Sequence, residues 1–170
     1  MKRYCQSIAI SISLLALISS ITACAGSASA QTNAQKMAAT LSGEDKIAAD
    51  KNPQCQLFTP AELTKVVGML LGPGRNAAMG TGCQWLALSG DGYVMVQVAP
   101  ARYHEPHSSA PGFKKLPEIG TRGFVENDLG WRAGAIVGTQ SIVVKVNGTA
   151  ANEGTAIALL QDTIKRKAGK

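Results

Sequence analysis

The residue types from which metal sites and nucleophilic active sites are usually built are scarce in this chain. Its 170 residues contain two histidines and four cysteines. No serine or cysteine can be paired with a plausible base from the sequence, and neither a phosphate-binding loop nor a dinucleotide-binding glycine pattern occurs. The sequence therefore predicts no catalytic residue and no bound cofactor.

Charge is also sparse, and it is not concentrated in one stripe. Charged residues make up 16% of the chain, and the formal net charge of +6 falls to +4 once Lys2 and Arg3 are removed with the leader. The one tight cluster, residues 165–167, is typical of the last turn of a helix, where cations offset the helix dipole. Contact with an anionic surface is the alternative interpretation. Charge that is this mild and scattered does not indicate binding to nucleic acid, so no nucleic-acid partner is predicted.

Residues 1–30 have the order of a secretory signal. A positive start, Met1-Lys2-Arg3, is followed by a largely apolar, uncharged run over residues 8–21 and then by small residues up to Ala30. The apolar run is too short for a comfortable membrane span. We therefore expect export and removal of the leader, with an uncleaved signal anchor as the alternative.

Two cleavage sites compete in this leader. Ile21-Thr22-Ala23-Cys24 resembles a bacterial lipobox, which predicts cleavage after residue 23 and lipidation of Cys24. Ala28-Ser29-Ala30 is an ordinary cleavage site, which predicts a soluble periplasmic or secreted protein beginning at Gln31. We favour the lipobox. It predicts a lipoprotein anchored at a cell-envelope membrane through Cys24, with residues 31–52 as a polar tether.

The cysteine count favours a disulfide in the mature protein. Either cleavage removes Cys5, and Cys24 is either lipidated or discarded, so Cys55 and Cys83 remain. In an oxidising compartment a disulfide between these two residues is the simplest interpretation. A metal site needs more ligands than two cysteines, and a free catalytic thiol would leave its partner cysteine unexplained.

The folded part opens with a complete helix start. Thr59 is the expected N-cap, Pro60 occupies the first helical position, and Glu62 lies three residues after Thr59, where it closes a capping box. Either Gly68 or Gly72 can end this helix. Residues 72–82 then form a glycine-rich loop.

Five strand patterns follow, bounded by glycine, asparagine and aspartate turns: 83–88, 93–99, 123–126, 131–137 and 141–146. Residues 100–119 are predicted to be a long surface loop, and a second amphipathic helix runs from about residue 152 to 167. Strands joined by short turns favour an antiparallel sheet, and two amphipathic helices must cover one of its faces. The sequence predicts one α+β domain over residues 53–168, with about five strands, both helices on one face and one disulfide.

One cluster has the chemistry of metal ligands, Tyr103-His104-Glu105-Pro106-His107. Two imidazoles and a carboxylate can bind zinc or copper, but Pro106 prevents the helical spacing from which such ligands usually project. A solvated loop is the preferred interpretation. No metal site is therefore predicted, and His104, Glu105 and His107 remain weak candidates.

The tryptophans and two aspartates have structural explanations. Trp85 and Trp131 lie on predicted strands, and packing is favoured over a ligand-stacking platform. Asp91 and Asp128 lie in predicted turns, where aspartate is favoured for backbone reasons rather than as a general acid.

The segment Pro53 to Leu63, with Cys55 and Thr59-Pro60-Ala61-Glu62, resembles the start of a family of small exported bacterial lipoproteins of unknown function, best known from actinobacteria. In that family a second cysteine precedes an aromatic residue, as in Cys83-Gln84-Trp85. Later in the family's sequences, the start of a strand resembles residues 116–124 of this chain. The resemblance covers about residues 53 to 165 and implies an envelope-anchored α+β domain. It implies no catalytic residue.

The function expected from these observations is that of a non-enzymatic binding or accessory lipoprotein of the cell envelope, whose partner is an envelope protein, a lipid or a small ligand. A small secreted enzyme or metal-binding protein centred on His104, Glu105 and His107 is the alternative. A structural or inhibitory surface protein is a third possibility.

Overall fold

The structure, a computed structural model, describes residues 49–169. The predicted leader, its Cys24 and most of the predicted tether lie outside these residues. Short 3-10 turns cover Ala49–Lys51, Ala78–Gly80 and Ala101–Tyr103. The helices and strands are α1 (Pro60–Val67), β1 (Arg75–Ala77), β2 (Gly82–Leu86), β3 (Tyr93–Pro100), β4 (Lys114–Lys115), β5 (Thr121–Asn127), β6 (Trp131–Val137), β7 (Gln140–Asn147) and α2 (Glu153–Ala168).

The seven strands form one antiparallel sheet in the order β1-β2-β3-β7-β6-β5-β4. The predicted antiparallel α+β architecture is confirmed, but the predicted number of about five strands was too low. The two additional strands, β1 and β4, are three and two residues long and lie at the two edges of the sheet. Such short segments show too little alternation to be recognised as strands in a sequence.

The hydrophobic core lies between one face of the sheet and both helices. Alternation along β3 places Val94, Val96 and Val98 on this face, where Val94 and Val96 lie opposite Val146 and Val144 of β7. Buried residues of the two helices belong to the same apolar cluster. They are Leu63 and Val67 from α1, and Ala156, Leu159 and Leu160 from α2.

Helix α1 has the predicted caps at both ends. The Thr59 amide donates to the Glu62 carboxylate at 2.7 Å, and the Glu62 amide donates to the Thr59 hydroxyl oxygen at 3.2 Å. The bond from the Thr59 backbone is the main reason that the pKa of Glu62 lies below its ordinary value. Gly68 ends the helix with a φ of 69°, a left-handed conformation that glycine adopts without steric cost.

Helix α2 begins at the N-cap Asn152, whose side chain accepts a hydrogen bond from the Thr155 amide at 2.9 Å. Its bounds agree with the predicted second helix within one residue. Within residues 49–169, neither helix is long and apolar enough to cross a bilayer.

The Cys55–Cys83 disulfide predicted from the cysteine count is present, with the two Cα atoms 5.0 Å apart. It links the segment before α1 to β2. Next to it, the fully buried Asn52 donates from its side chain to Asn76 Oδ1 at 2.7 Å and to the Gly82 carbonyl at 2.9 Å. Close packing therefore extends to Asn52, the last residue of the predicted tether.

Candidate functional site

The segment that joins β3 to β4, residues 101–113, is called the histidine loop here. Two of its backbone groups are hydrogen-bonded to Glu126 and Arg132, which lie opposite each other on β5 and β6. The neighbouring Val125 and Ala133 belong to the helix-covered core, so alternation places Glu126 and Arg132 on the other face. The histidine loop therefore folds back over the sheet face that the helices leave open. The sequence had predicted a solvated loop here.

His104 is the most buried side chain of the histidine loop, with 2% of its surface exposed. Its Nε2 lies 3.0 Å from the Arg122 carbonyl, and its Nδ1 lies 2.9 Å from the Ser141 hydroxyl oxygen. Because a carbonyl can only accept, Nε2 carries the proton and Nδ1 accepts from the hydroxyl. Burial lowers the pKa of His104 below its ordinary value, so the ring is neutral at neutral pH. The ring also packs edge-on against Phe124, with centroids 5.3 Å apart.

Glu126 is a fully buried carboxylate beneath the same loop. One of its oxygens pairs with Arg132 Nη1, and the other accepts from the His107 backbone amide at 2.7 Å. The second terminal nitrogen of Arg132 donates to the Glu105 carbonyl at 2.9 Å. The ion pair therefore fastens the loop backbone to the sheet at two points. Sequence reasoning missed this pair, although a glutamate inside a predicted strand was a usable indication.

The three weak metal candidates are not brought together. His104 uses both ring nitrogens beneath the loop, whereas His107 is half-exposed with its Nδ1 3.2 Å from Asp128 Oδ2 and 3.8 Å from Glu126 Oε1. Glu105 takes part through its backbone carbonyl. Among residues 49–169, no three His, Cys, Asp or Glu side chains are arranged to hold a metal ion.

A cleft of about 750 Å³ lies between the histidine loop, β4 and the start of β5. None of the residues that line it is acidic. Those that determine its chemistry are Pro106, Phe113, Lys115, Pro117, Arg122 and Phe124. The cleft thus combines apolar and aromatic walls with two cations.

The wall that carries Arg122 has an unusual backbone. Arg122 has a φ of 56°, in the left-handed region that residues with a side chain rarely adopt, and the pairing of β5 with β6 is irregular between Thr121 and Phe124. A side chain at Gly123 would collide with the Leu116 carbonyl oxygen, so only glycine fits there. The His104 ring donates to the Arg122 carbonyl and accepts from the Ser141 hydroxyl, and these two hydrogen bonds hold the strained segment in place.

The tryptophans and turn aspartates occupy the places expected for packing and turns. Trp85 is buried in the core, edge-on to Phe58 with centroids 6.4 Å apart. Trp131 is partly buried and packs against the same core. Asp91 lies in the connection between β2 and β3, and Asp128 in the connection between β5 and β6.

No protein-family model, curated protein or solved structure matches this chain. The resemblance to small exported lipoproteins therefore stays a prediction, and function is argued from the domain itself.

Proposed function

We propose that this chain is an exported lipoprotein of the cell envelope, anchored in a membrane through a lipid on Cys24, whose folded domain is a non-enzymatic binding module. The observation that carries the proposal is the Cys55–Cys83 disulfide. Disulfides form and persist in oxidising compartments outside the cytoplasm and are rare inside it. The bond uses the two cysteines that either cleavage of the leader would leave unmodified.

The two unequal faces of the sheet support a binding role. The helices cover one face, whereas the histidine loop covers the other face over β5 and β6. Beyond it, Met95, Gln97 and Lys145 on β3 and β7 stay partly exposed. A rigid sheet that carries a firmly attached loop is a suitable platform for a ligand or partner. The cleft beside the histidine loop is the candidate site.

The alternative of an enzyme or metal carrier centred on the histidine loop gains no support from the geometry. Both ring nitrogens of His104 are occupied by Ser141 and the Arg122 carbonyl. His107 contacts Asp128 instead of its two proposed co-ligands.

Expression of the full chain in a bacterial host with a lipoprotein-processing pathway tests this proposal. We expect the protein in the membrane fraction, with a mature N-terminus at Cys24 that carries the mass of a diacylglyceryl group. Cys24→Ala should release it from membranes, whereas the matched control Cys5→Ala should not. A mature chain that begins at Gln31 without acyl mass would contradict the proposal.

A further inference from the structure

We propose that the cleft beside the histidine loop binds a small organic anion with an aromatic or branched apolar body. Arg122 and Lys115 would pair with the anionic group, and Phe113 and Pro117 would contact the apolar body. The inference names a ligand class for the binding role proposed above and rests on that role.

The lining chemistry selects for an anion. Within residues 49–169, neither Lys115 nor Arg122 forms an ion pair with a carboxylate, whereas the adjacent Lys114 pairs with Glu153 at 2.7 Å. The two cleft cations are therefore available to a ligand. A guanidinium beside an ammonium suits a carboxylate or phosphate group, since arginine can bind such groups through two parallel hydrogen bonds.

The size and the walls of the cleft select for an apolar body. Its volume of about 750 Å³ is within the range of small-molecule sites. Phe113 comes from the histidine loop and is partly exposed, whereas Phe124 comes from β5 and has 1% of its surface exposed, so Phe113 is the ring that a ligand can contact. Aromatic rings stabilise planar ligands by edge-on or offset contacts as well as by burial of apolar area.

The backbone around Arg122 is held in one conformation before any ligand arrives. The left-handed φ of Arg122 is maintained by the His104 hydrogen bond on its carbonyl and by the tight approach of Gly123 to Leu116. Strained residues of this kind cluster at binding sites, where the fixed backbone spares a ligand the entropic cost of ordering it.

Two other clefts lack this combination. One of about 650 Å³ beside the β6–β7 turn contains Arg102 but no aromatic residue. Another of about 700 Å³, at the end of α1, is glycine-rich and contains Asp91, which disfavours an anion. The cleft beside the histidine loop is the one of the three with both cations and aromatic walls.

Calorimetric titration of the mature, envelope-purified chain with naphthoate, and with the uncharged isostere naphthamide, tests the inference. We expect saturable binding of naphthoate and at least about tenfold weaker binding of naphthamide, as for the loss of one charge-assisted contact. The double variant Lys115→Gln/Arg122→Gln should weaken naphthoate binding by about tenfold or more. Arg75→Gln, which removes an exposed cation at the opposite sheet edge, is the matched control and should leave binding unchanged.

Three results would overturn the inference: no naphthoate binding, equal affinity for naphthoate and naphthamide, or equal affinity of the double variant and the Arg75→Gln control. If the double variant does not fold, Lys115→Gln alone, on the exposed two-residue β4, gives the same comparison. Each of these results concerns the ligand alone. Envelope anchoring is measured independently by the mass of the mature N-terminus, so the two proposals can fail separately.

Discussion

The guanidinium of Arg166 lies 4.3 Å from the centre of the Phe58 ring, so the last turn of α2 is stacked on the residue that precedes the N-cap of α1. The same side chain donates to the Leu57 carbonyl at 2.7 Å and to Glu62 at 3.1 Å. The basic cluster of residues 165–167 thus includes one residue that joins the two helices. Its predicted role at the end of a helix is only part of what Arg166 does.

Arg166→Met should lower the free energy of unfolding by about 1–2 kcal/mol, because it removes a cation–π contact and a charge-assisted bond to a carbonyl. Urea denaturation followed by circular dichroism measures the effect. The matched control is the exposed neighbour Lys165→Met, which should change stability by less than about 0.5 kcal/mol. Equal effects of the two variants would show that the contacts of Arg166 do not contribute.

Thr59→Ala should destabilise the domain by about 1 kcal/mol, since it removes the N-cap and one half of the capping box. Thr59→Ser keeps the hydroxyl and is the control, with a change close to zero. The denaturation midpoint provides the measurement. An unchanged midpoint for the alanine variant would mean that the cap is energetically unimportant.

Cys55 and Cys83 should be fully oxidised in the mature protein. Thiol counting on the denatured, unreduced mature chain is expected to detect no thiol from this pair. Reduction should lower stability by roughly 3–4 kcal/mol in the chain-entropy model for a separation of 28 residues. Two free thiols in freshly purified protein would contradict both the oxidation and the export that it supports.

Features encoded by neighbouring residues could be predicted from the sequence, and so could the Cys55–Cys83 disulfide, because it follows from a count of the cysteines. Most other contacts between distant residues could not. The capping box of Thr59 and Glu62 spans three residues, and the turns around β6 are marked by glycines, so both were predicted with near-correct bounds. His104 was expected in solvent, yet it is buried through partners that lie 18 and 37 residues further along the chain. A pattern of spacing contains no information about such contacts.

The candidate cleft has the same origin. Phe113, Arg122 and Phe124 meet because the histidine loop folds back onto the sheet. The bonds that Glu126 and Arg132 make to the loop backbone depend on the register of β5 with β6. The histidines and prolines made it possible to predict the loop from the sequence. The sequence did not reveal that the loop encloses a cleft.

His104 should make stability depend on pH below neutrality. Its pKa is lowered by burial, so the unfolded chain binds a proton more readily than the folded chain. The contribution of His104 to the free energy of unfolding is therefore fully present above the pKa of histidine in the unfolded chain, about 6.5. It falls as the pH drops below that value, by at most about 1.4 kcal/mol per pH unit. Urea midpoints between pH 7.5 and 5.5 should decline in the native chain and in His107→Gln, but much less in His104→Gln. Equal declines in the two variants would assign the effect to other groups.

The buried pair of Glu126 and Arg132 gives the strongest test of how the histidine loop is held. Arg132→Met leaves the fully buried Glu126 carboxylate without its cation and should cost about 3–5 kcal/mol. Adding Glu126→Gln removes the charge but keeps an oxygen that accepts from the His107 amide, so the double variant should be more stable than Arg132→Met alone by at least about 1 kcal/mol.

Lys145→Met is the matched control for this pair, because Lys145 lies directly opposite Arg132 on β7 and forms no ion pair within residues 49–169. It should change stability by less than about 0.5 kcal/mol. A double-mutant cycle built from urea denaturation gives the coupling free energy between Glu126 and Arg132. A coupling near zero would mean that the ion pair is not what fastens the histidine loop. The position of the loop, and the cleft beside it, would then depend on the His104 hydrogen bonds and on packing against Phe124.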